Sequence, residues 1–331
     1  MIEFRRMAPA MDTIPLGVAG AALSLHTNSV QLAELAAELF PPVSASVPHA
    51  PQATLTLVVD KGRKESDDGR SFPVFRGRNE FVHADYGRDG SLWFDLKARA
   101  VSGIVSHDLL AETMRFRSAV LAVIAGVLAP ALGLTGVHAG CVVRNGKAVM
   151  LAAASGVGKS TLTLALALRG WSLLSDDWTF VTALPTGLQV WGMQTPLKLL
   201  PDAVRYFPDL SALSPKESLN GEMAFEVDPW IFFHVDRATH ATPAAVILLE
   251  RDPNSCQASR RQIERCTPEE TRTRLFSDIE EQPAEIGGIN DCQSSLIDQL
   301  CALPCYKMRI GGHPAAIAAE LNPILTERLC G

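Results

Sequence analysis

The chain has 331 residues, 47% of them hydrophobic and 20% charged, with a formal net charge of −6. That length suits two domains, or one large domain with an appendage, and a core that needs no disulfide staples. The acidic balance disfavours a nucleic-acid partner, and seven cysteines, an odd number, fit reduced thiols in a cytoplasmic setting.

The first segment, MIEFRRMAPAMDTIPLGVAG, carries arginines and short apolar pieces. Asp12 and Pro15 interrupt the continuous apolar core that a secretory signal needs. Residues 1–105 read as a smaller N-terminal α/β domain, an accessory or acceptor-presenting one. Thr27–Phe40 has an N-cap candidate and apolar residues at helical spacing. Pro41–Gln52 is a Pro/Ser-rich loop. Ala53–Asp60 alternates and is β-branched, so a strand is expected, and Ser91–Ala98 is a second strand candidate. Between them Lys61–Arg70 is a charged turn. No internal repeat is visible.

His107–Leu132 reads as one long helix that becomes apolar all round and is therefore buried. Ala119–Val137 carries no charge and approaches the length of a membrane span. Pro130 and Gly133 break it, and its Ala and Gly content gives little transfer energy, so a buried helix is expected and no membrane partner. Two strands then flank Arg144-Asn145-Gly146-Lys147, where Asn-Gly is a strong hairpin signal. The second strand, Ala148–Ala152, leads into SGVGKST. A helix follows over Lys159–Arg169, with Gly170 placed to end it. A short strand, Trp171–Ser175, runs into Asp176-Asp177. Further on, Ala244–Arg251 is a continuous apolar run typical of a strand covered on both faces. Thr267–Glu281 opens with a capping box, Thr267 at N-cap and Glu270 at N3. Cys305–Ile310 reads as a strand and His313–Leu321 as a terminal helix. Cys301 and Cys305 have no second pair at zinc spacing and read as buried thiols. Residues 106–331 thus form one α/β nucleotide-binding domain.

The chemistry concentrates in one stretch. Ser155-Gly156-Val157-Gly158-Lys159-Ser160 is the second half of a P-loop, set between a strand and a helix as such a loop requires. Backbone amides over Ala154, Ser155, Gly156, Val157 and Gly158 would form an anion nest, with the helix N-terminus adding partial positive charge. Lys159 can reach the β- and γ-phosphates, Ser160 can ligate Mg²⁺, and Thr161 can assist from the next position. The consensus places glycine at 153, where this chain has alanine. Asp176 and Asp177 follow at a strand end beside the loop, where a carboxylate associated with Mg²⁺ belongs. One of the pair would orient the metal shell and the other accept a hydroxyl proton.

At these residues the sequence resembles the catalytic domain of the HPr kinase/phosphorylase family. The matching pieces are His138-Ala139-Gly140, Ser155–Thr161, Arg169-Gly170 and Leu173–Asp177. Where that family has glycine and an acid at the start of its loop, this chain has Ala153-Ala154. Where the family carries a metal-binding glutamate and a glycine-rich arginine segment, it has WGMQTPLKLLPDAVRYFP (Trp191–Pro208), with no acid near Gln194. The TPLKLLPDAV piece looks closer to a divergent branch, the HPr-kinase-like serine kinases found with ribosomally made (lasso) peptides. The resemblance extends through AAVILLER and CYKMRIGGHPAAI.

It implies an HPr-kinase-like P-loop fold, ATP and Mg²⁺ as cofactors, and transfer of the γ-phosphate to a serine of a peptide or small protein, a lasso-peptide precursor among them. Asp177 would be the general base and His138 would tune its charge. Lys159 would hold phosphate, and Ser160 and Asp176 would hold the metal. A homo-oligomer fits the family pattern. Lys198 is a candidate contact to γ-phosphate or acceptor, with a snorkelling surface lysine as the equal alternative. Arg251, at a strand's carboxyl end, is a candidate phosphate clamp or a surface ion pair. Two other readings stand beside the peptide kinase: a kinase for free serine or another small hydroxylated metabolite, and a nucleotide-sensing module with a degenerate loop.

Overall fold

Alternating apolar residues govern the first part of the chain. The computed structural model describes residues 12–42, 52–60, 69–193, 195–218, 221–252, 263–280 and 291–329, and these divide into two units between Leu132 and Gly133. The charged turn at 61–68, most of the Pro/Ser-rich loop and Gln194 lie outside the described residues.

The first unit is a seven-stranded sheet. Its strands are β1 (Asp12–Val18), β2 (Ala21–Thr27), β3 (Gln52–Asp60), β4 (Gly69–Arg78), β5 (Phe81–Gly87), β6 (Gly90–Asp95) and β7 (Ala100–Ser106), in the order β1-β2-β3-β7-β6-β5-β4. The helix α1 (Val30–Leu39) connects β2 to the parallel β3, and Ser29 caps it by accepting from the Leu32 amide. On one face Leu25, Leu55, Leu57, Leu92, Phe94 and Val101 are fully buried. On the other, Phe81, Trp93 and Ile104 are exposed. This is the alternation expected of a sheet covered on one side only.

The expected long helix over 107–132 is instead a broken series. It runs as α2 (His107–Ala111), α3 (Thr113–Phe116), a π-helical stretch (Arg117–Leu121), α4 (Ala122–Leu128) and a 3₁₀ turn at Pro130–Leu132. Glu112 leaves helical space at φ −79° and ψ 67°. Arg115 stands beside the break, tied to Asp89 at 3.1 Å and to Glu112 at 3.4 Å. The apolar run is buried as expected, and no helix among the described residues is long and apolar enough to cross a membrane. The expected domain boundary after residue 105 also moves, to 132/133. The reason is packing: Tyr86 in β5 donates its hydroxyl to the Ala119 carbonyl at 2.6 Å, and Glu38 of α1 pairs with Arg117.

The second unit begins with a hairpin, β8 (Thr135–Arg144) and β9 (Lys147–Ala153). Its turn is the one Asn-Gly predicts, with φ of 52° at Asn145 and 72° at Gly146. The helix α5 (Lys159–Ala167) follows, then β10 (Ser172–Ser175), β11 (Trp178–Leu184) and β12 (Gly187–Gly192). A three-stranded sheet of β13 (Leu197–Leu199), β14 (Lys216–Glu217) and β15 (Met223–Val227) comes next. The chain continues through α6 (Pro229–Phe232), β16 (His240–Arg251), β17 (Ile263–Arg265), α7 (Pro268–Glu280), α8 (Asp291–Cys301), β18 (Cys305–Ile310) and α9 (Pro314–Leu329). Strands β9 and β18 flank β16 in parallel, and β10 and β9 both run antiparallel to β8. The carboxyl ends of β10, β9, β16 and β18 therefore share one edge.

Both faces of this central sheet are covered. Leu275 and Phe276 of α7 and Ile297 and Leu300 of α8 pack on one side. Leu162 and Leu166 of α5 and Ile317 and Leu321 of α9 pack on the other. The run Ala245–Leu249, buried except for the half-buried Leu248, matches that environment. The capping box at Thr267 and Glu270 forms in both directions, at 2.9 and 3.2 Å. Cys301 and Cys305 are buried free thiols, as expected.

Candidate phosphate-binding and acid site

A covered sheet leaves its strand ends as the place for ligands, and that edge carries most of the residues singled out in the sequence. β9 ends at Ala153, which is buried and paired with Leu249 in regular strand geometry. Its φ is not positive, so the missing glycine costs the turn nothing at this position. Ala154, Ser155 and Gly156 are exposed, and the Val157 amide bonds back to the Ala154 carbonyl at 3.3 Å. Gly156 and Gly158 adopt φ of 76° and 115°, conformations that favour glycine. Gly158 is the N-cap residue of α5 and brings no side-chain cap to the first amides of the helix. Such amides suit an anion. Ser160 and Thr161 lie half-buried in the first turn.

Lys159 is only 7% exposed. Its Nζ lies 3.2 Å from Asp177 Oδ1, and His138 Nε2 lies 2.8 Å from the same oxygen. The two nitrogens converge because β8 runs between β9 and β10. His138 precedes Ala139, which pairs with Ala152 of β9, and is itself paired with Trp178, the residue after Asp177. The His138 ring stacks on Trp178 at 5.6 Å between centroids. Thr179 donates its hydroxyl to the Ala139 carbonyl at 2.8 Å and strings the acid turn to β8. Gly140 makes room for α5: a Cβ there would meet Thr163 Oγ1 at 2.4 Å. The Thr163 hydroxyl bonds the Lys159 carbonyl at 2.9 Å, so this approach also fixes the start of the helix.

The adjacent acids differ. Asp177 is half-exposed, with its side chain 51% accessible. Partial desolvation acts to raise its pKa, but the hydrogen bond from His138 and the Lys159 ammonium outweigh it and hold the carboxyl well below the usual range. Asp176 is buried, and burial first, then the Asp177 charge, push it up to about 7. It accepts the backbone amide of Lys198 and its own. Two neighbours thus carry opposite protonation tendencies, a pattern that recurs where acid and base chemistry share a site.

The two tentative cations fall differently. Lys198 is joined to the site through its backbone, while its Nζ bonds Glu222 Oε2 at 2.8 Å. Arg251 ends β16 two residues past the Leu249–Ala153 pair, on the same sheet edge, and is exposed. No sequence motif marks Trp178, Thr179 or Arg274. Arg274 sits in an amphipathic helix far from any motif, yet its Nη2 donates to the Ala153 carbonyl at 2.7 Å.

No cluster of three or more His, Cys, Asp or Glu side chains able to hold a metal occurs among the described residues. Ser160 and Asp176, beside an anion loop, would instead serve Mg²⁺, which keeps waters and takes one or two carboxylates together with substrate phosphates. The residues present fit the ion on those terms.

No protein-family model matches the chain, and no curated protein matches it. Among solved structures, the chain is similar to the Hpr(Ser) kinase/phosphatase from Coxiella burnetii. The identity is 14% and the TM-score 0.32, over 57% of this chain and 95% of that one.

Proposed function

We propose that the chain is an ATP-dependent kinase that transfers the γ-phosphate to a serine hydroxyl of a peptide or small protein. One observation carries the reading: a half-exposed carboxylate, Asp177, meets the phosphate-loop lysine and a histidine on a single oxygen, Oδ1. The amides of Ala154–Gly158 and the start of α5 bind the triphosphate, and Lys159 neutralises its outer phosphates. Ser160 and Asp176 hold the Mg²⁺ that accompanies ATP, which supplies charge neutralisation on the phosphate oxygens when bound.

Asp177 accepts the proton of the acceptor hydroxyl. Its depressed pKa does not disqualify it. Phosphoryl transfer through a loose transition state needs a well-oriented acceptor more than a strong base. Phosphates also draw Lys159 away from Asp177, which relieves part of the depression. His138, stacked on Trp178, keeps the carboxylate aimed.

The test is direct. The unchanged protein with Mg²⁺ and γ-labelled ATP is offered a panel of serine-bearing peptides. Label transfer is expected, and Asp177→Asn is expected to keep nucleotide binding while losing at least about a hundredfold in transfer. Lys159→Ala is expected to weaken nucleotide binding and abolish transfer. Equal turnover by Asp177→Asn removes Asp177 as the base, and no labelling by the unchanged protein removes the kinase reading.

A further inference from the structure

The phosphate loop leaves β9 at Ala153, and the group that holds this exit comes from another element. Arg274 Nη2 donates to the Ala153 carbonyl at 2.7 Å, and its Nη1 donates to Ser277 Oγ at 2.9 Å. The Ser277 hydroxyl in turn donates to the Arg274 carbonyl at 2.8 Å. The guanidinium is thus braced by its own helix while it reaches for the strand end. The helix is fixed as well: Leu275 and Phe276 are buried in the core beneath the central sheet, and its first turn is closed by the Thr267–Glu270 box.

We propose that Arg274 is a positioning residue for the phosphate loop. The inference rests on the nucleotide-binding reading above. A peptide unit is planar, so an anchored carbonyl at Ala153 also fixes the direction of the Ala154 amide at the head of the anion nest. A charged donor makes that anchor stronger than a neutral one. The planar fork serves the strand carbonyl and the serine together, which an ammonium cannot do with the same geometry. The residue touches no phosphate and acts only through the loop it orients.

The experiment measures affinity for a fluorescent N-methylanthraniloyl ATP, with unfolding temperatures recorded without ligand. Arg274→Gln is expected to weaken binding about tenfold, the loss of one charge-assisted hydrogen bond. Arg272→Ala is the control. It strips the same helix of its contacts to Asp298 and Ser294 and is expected to leave affinity unchanged. Arg274→Lys keeps the charge without the fork and is expected to fall between Arg274→Gln and the unchanged protein. It stands as the test if Arg274→Gln fails to fold. Wild-type affinity in a folded Arg274→Gln, or in Arg274→Lys where Gln does not fold, overturns the proposal. So does an affinity loss in Arg272→Ala that matches its loss of stability, since that assigns the effect to the helix as a whole. No binding by the unchanged protein overturns the nucleotide reading and this one together, whereas binding that Arg274→Gln leaves intact overturns this one alone.

Discussion

The two sheets of this protein solve the same packing problem differently. In the second unit, helices cover both faces of the central sheet, with Leu275 and Ile297 on one side and Leu162 and Ile317 on the other. In the first unit, residues such as Leu25, Leu57 and Phe94 are buried, while their alternates Phe81, Trp93 and Ile104 are exposed. A sheet covered on both sides offers a ligand only its edge, and there the glycine loop, Lys159, His138 and the acid pair come together. A sheet covered on one side keeps a broad face. The contrast predicts where the molecule has no room and where it has slack.

The largest effect is expected where the covered unit is tightest. A Cβ at Gly192 would stand 1.8 Å from the Leu174 carbonyl oxygen, a backbone atom that no rotamer change can move. Gly192 ends β12 and Leu174 lies two residues before Asp176, so relief requires a shift of β12 or of the strand that leads into the acids. Gly192→Ala is expected to lose roughly 3 kcal/mol or more in denaturant unfolding. It should also weaken nucleotide binding through displacement of the acid turn. A loss under about 1 kcal/mol would mean that the second unit has slack after all, and the contrast would fail at its strongest point.

The same contrast explains what the sequence made legible. The continuous run AAVILLER announces a doubly covered strand, and Asn145-Gly146, Gly170 and the Thr267–Glu270 box announce their turns and caps, because each is local chemistry. The loop residues Gly156 and Gly158 belong to this class too. What stayed hidden is not local. Glu112 looks like any helical residue until Arg115 is seen tied to Asp89 in another segment. The strands β1 and β2 hide in Ala- and Gly-rich sequence, joined by a turn at Ala19-Gly20 with φ of 48° and 83°. A change of secondary structure suggests a domain boundary after residue 105, whereas packing sets it after the helices that cover the first sheet. In the site, the spacing of Lys159 and Asp177 was readable. The division of roles between Asp176 and Asp177 was not, since it depends on burial and on the Lys198 amide. Arg274 gave no signal, because its contact spans 121 residues.

An intermediate effect is expected from that buried acid, and it carries a sign. Folded Asp176 titrates at about 7, above its ordinary value near 3.8, through burial and the neighbouring Asp177 charge. A raised carboxyl pKa favours the folded state fully below the unfolded value, and the advantage is lost as pH rises to the folded one. Without nucleotide or divalent cation, this residue therefore costs stability progressively from about pH 4 to about pH 7. Asp177, held low by His138 and Lys159, is ionised in both states above about pH 5 and adds little slope there. Asp176→Asn, which can still accept the Lys198 amide, is expected to gain on the wild type by a few kcal/mol between those limits. A stability difference that stays flat with pH would show that the acid is solvated, and that the covered unit is open at its edge.

The smallest effect tests the other side of the contrast. Trp93 is 59% exposed on the open face of the first sheet, and its indole stacks on His83 with ring centroids 3.9 Å apart. His83 is its cross-strand partner, in a row that continues through Arg76 on β4 and Ser102 on β7. Such a pair on a solvated face contributes little, about 0.5 kcal/mol, because half of the indole stays in water whether or not the chain folds. Trp93→Ser is therefore expected to shift the denaturant midpoint only slightly and to leave nucleotide affinity unchanged. A loss beyond about 2 kcal/mol is the size expected of a buried aromatic. It would mean that this face is covered in solution, and that both sheets are then two-sided and the open one owes its exposure to a missing layer.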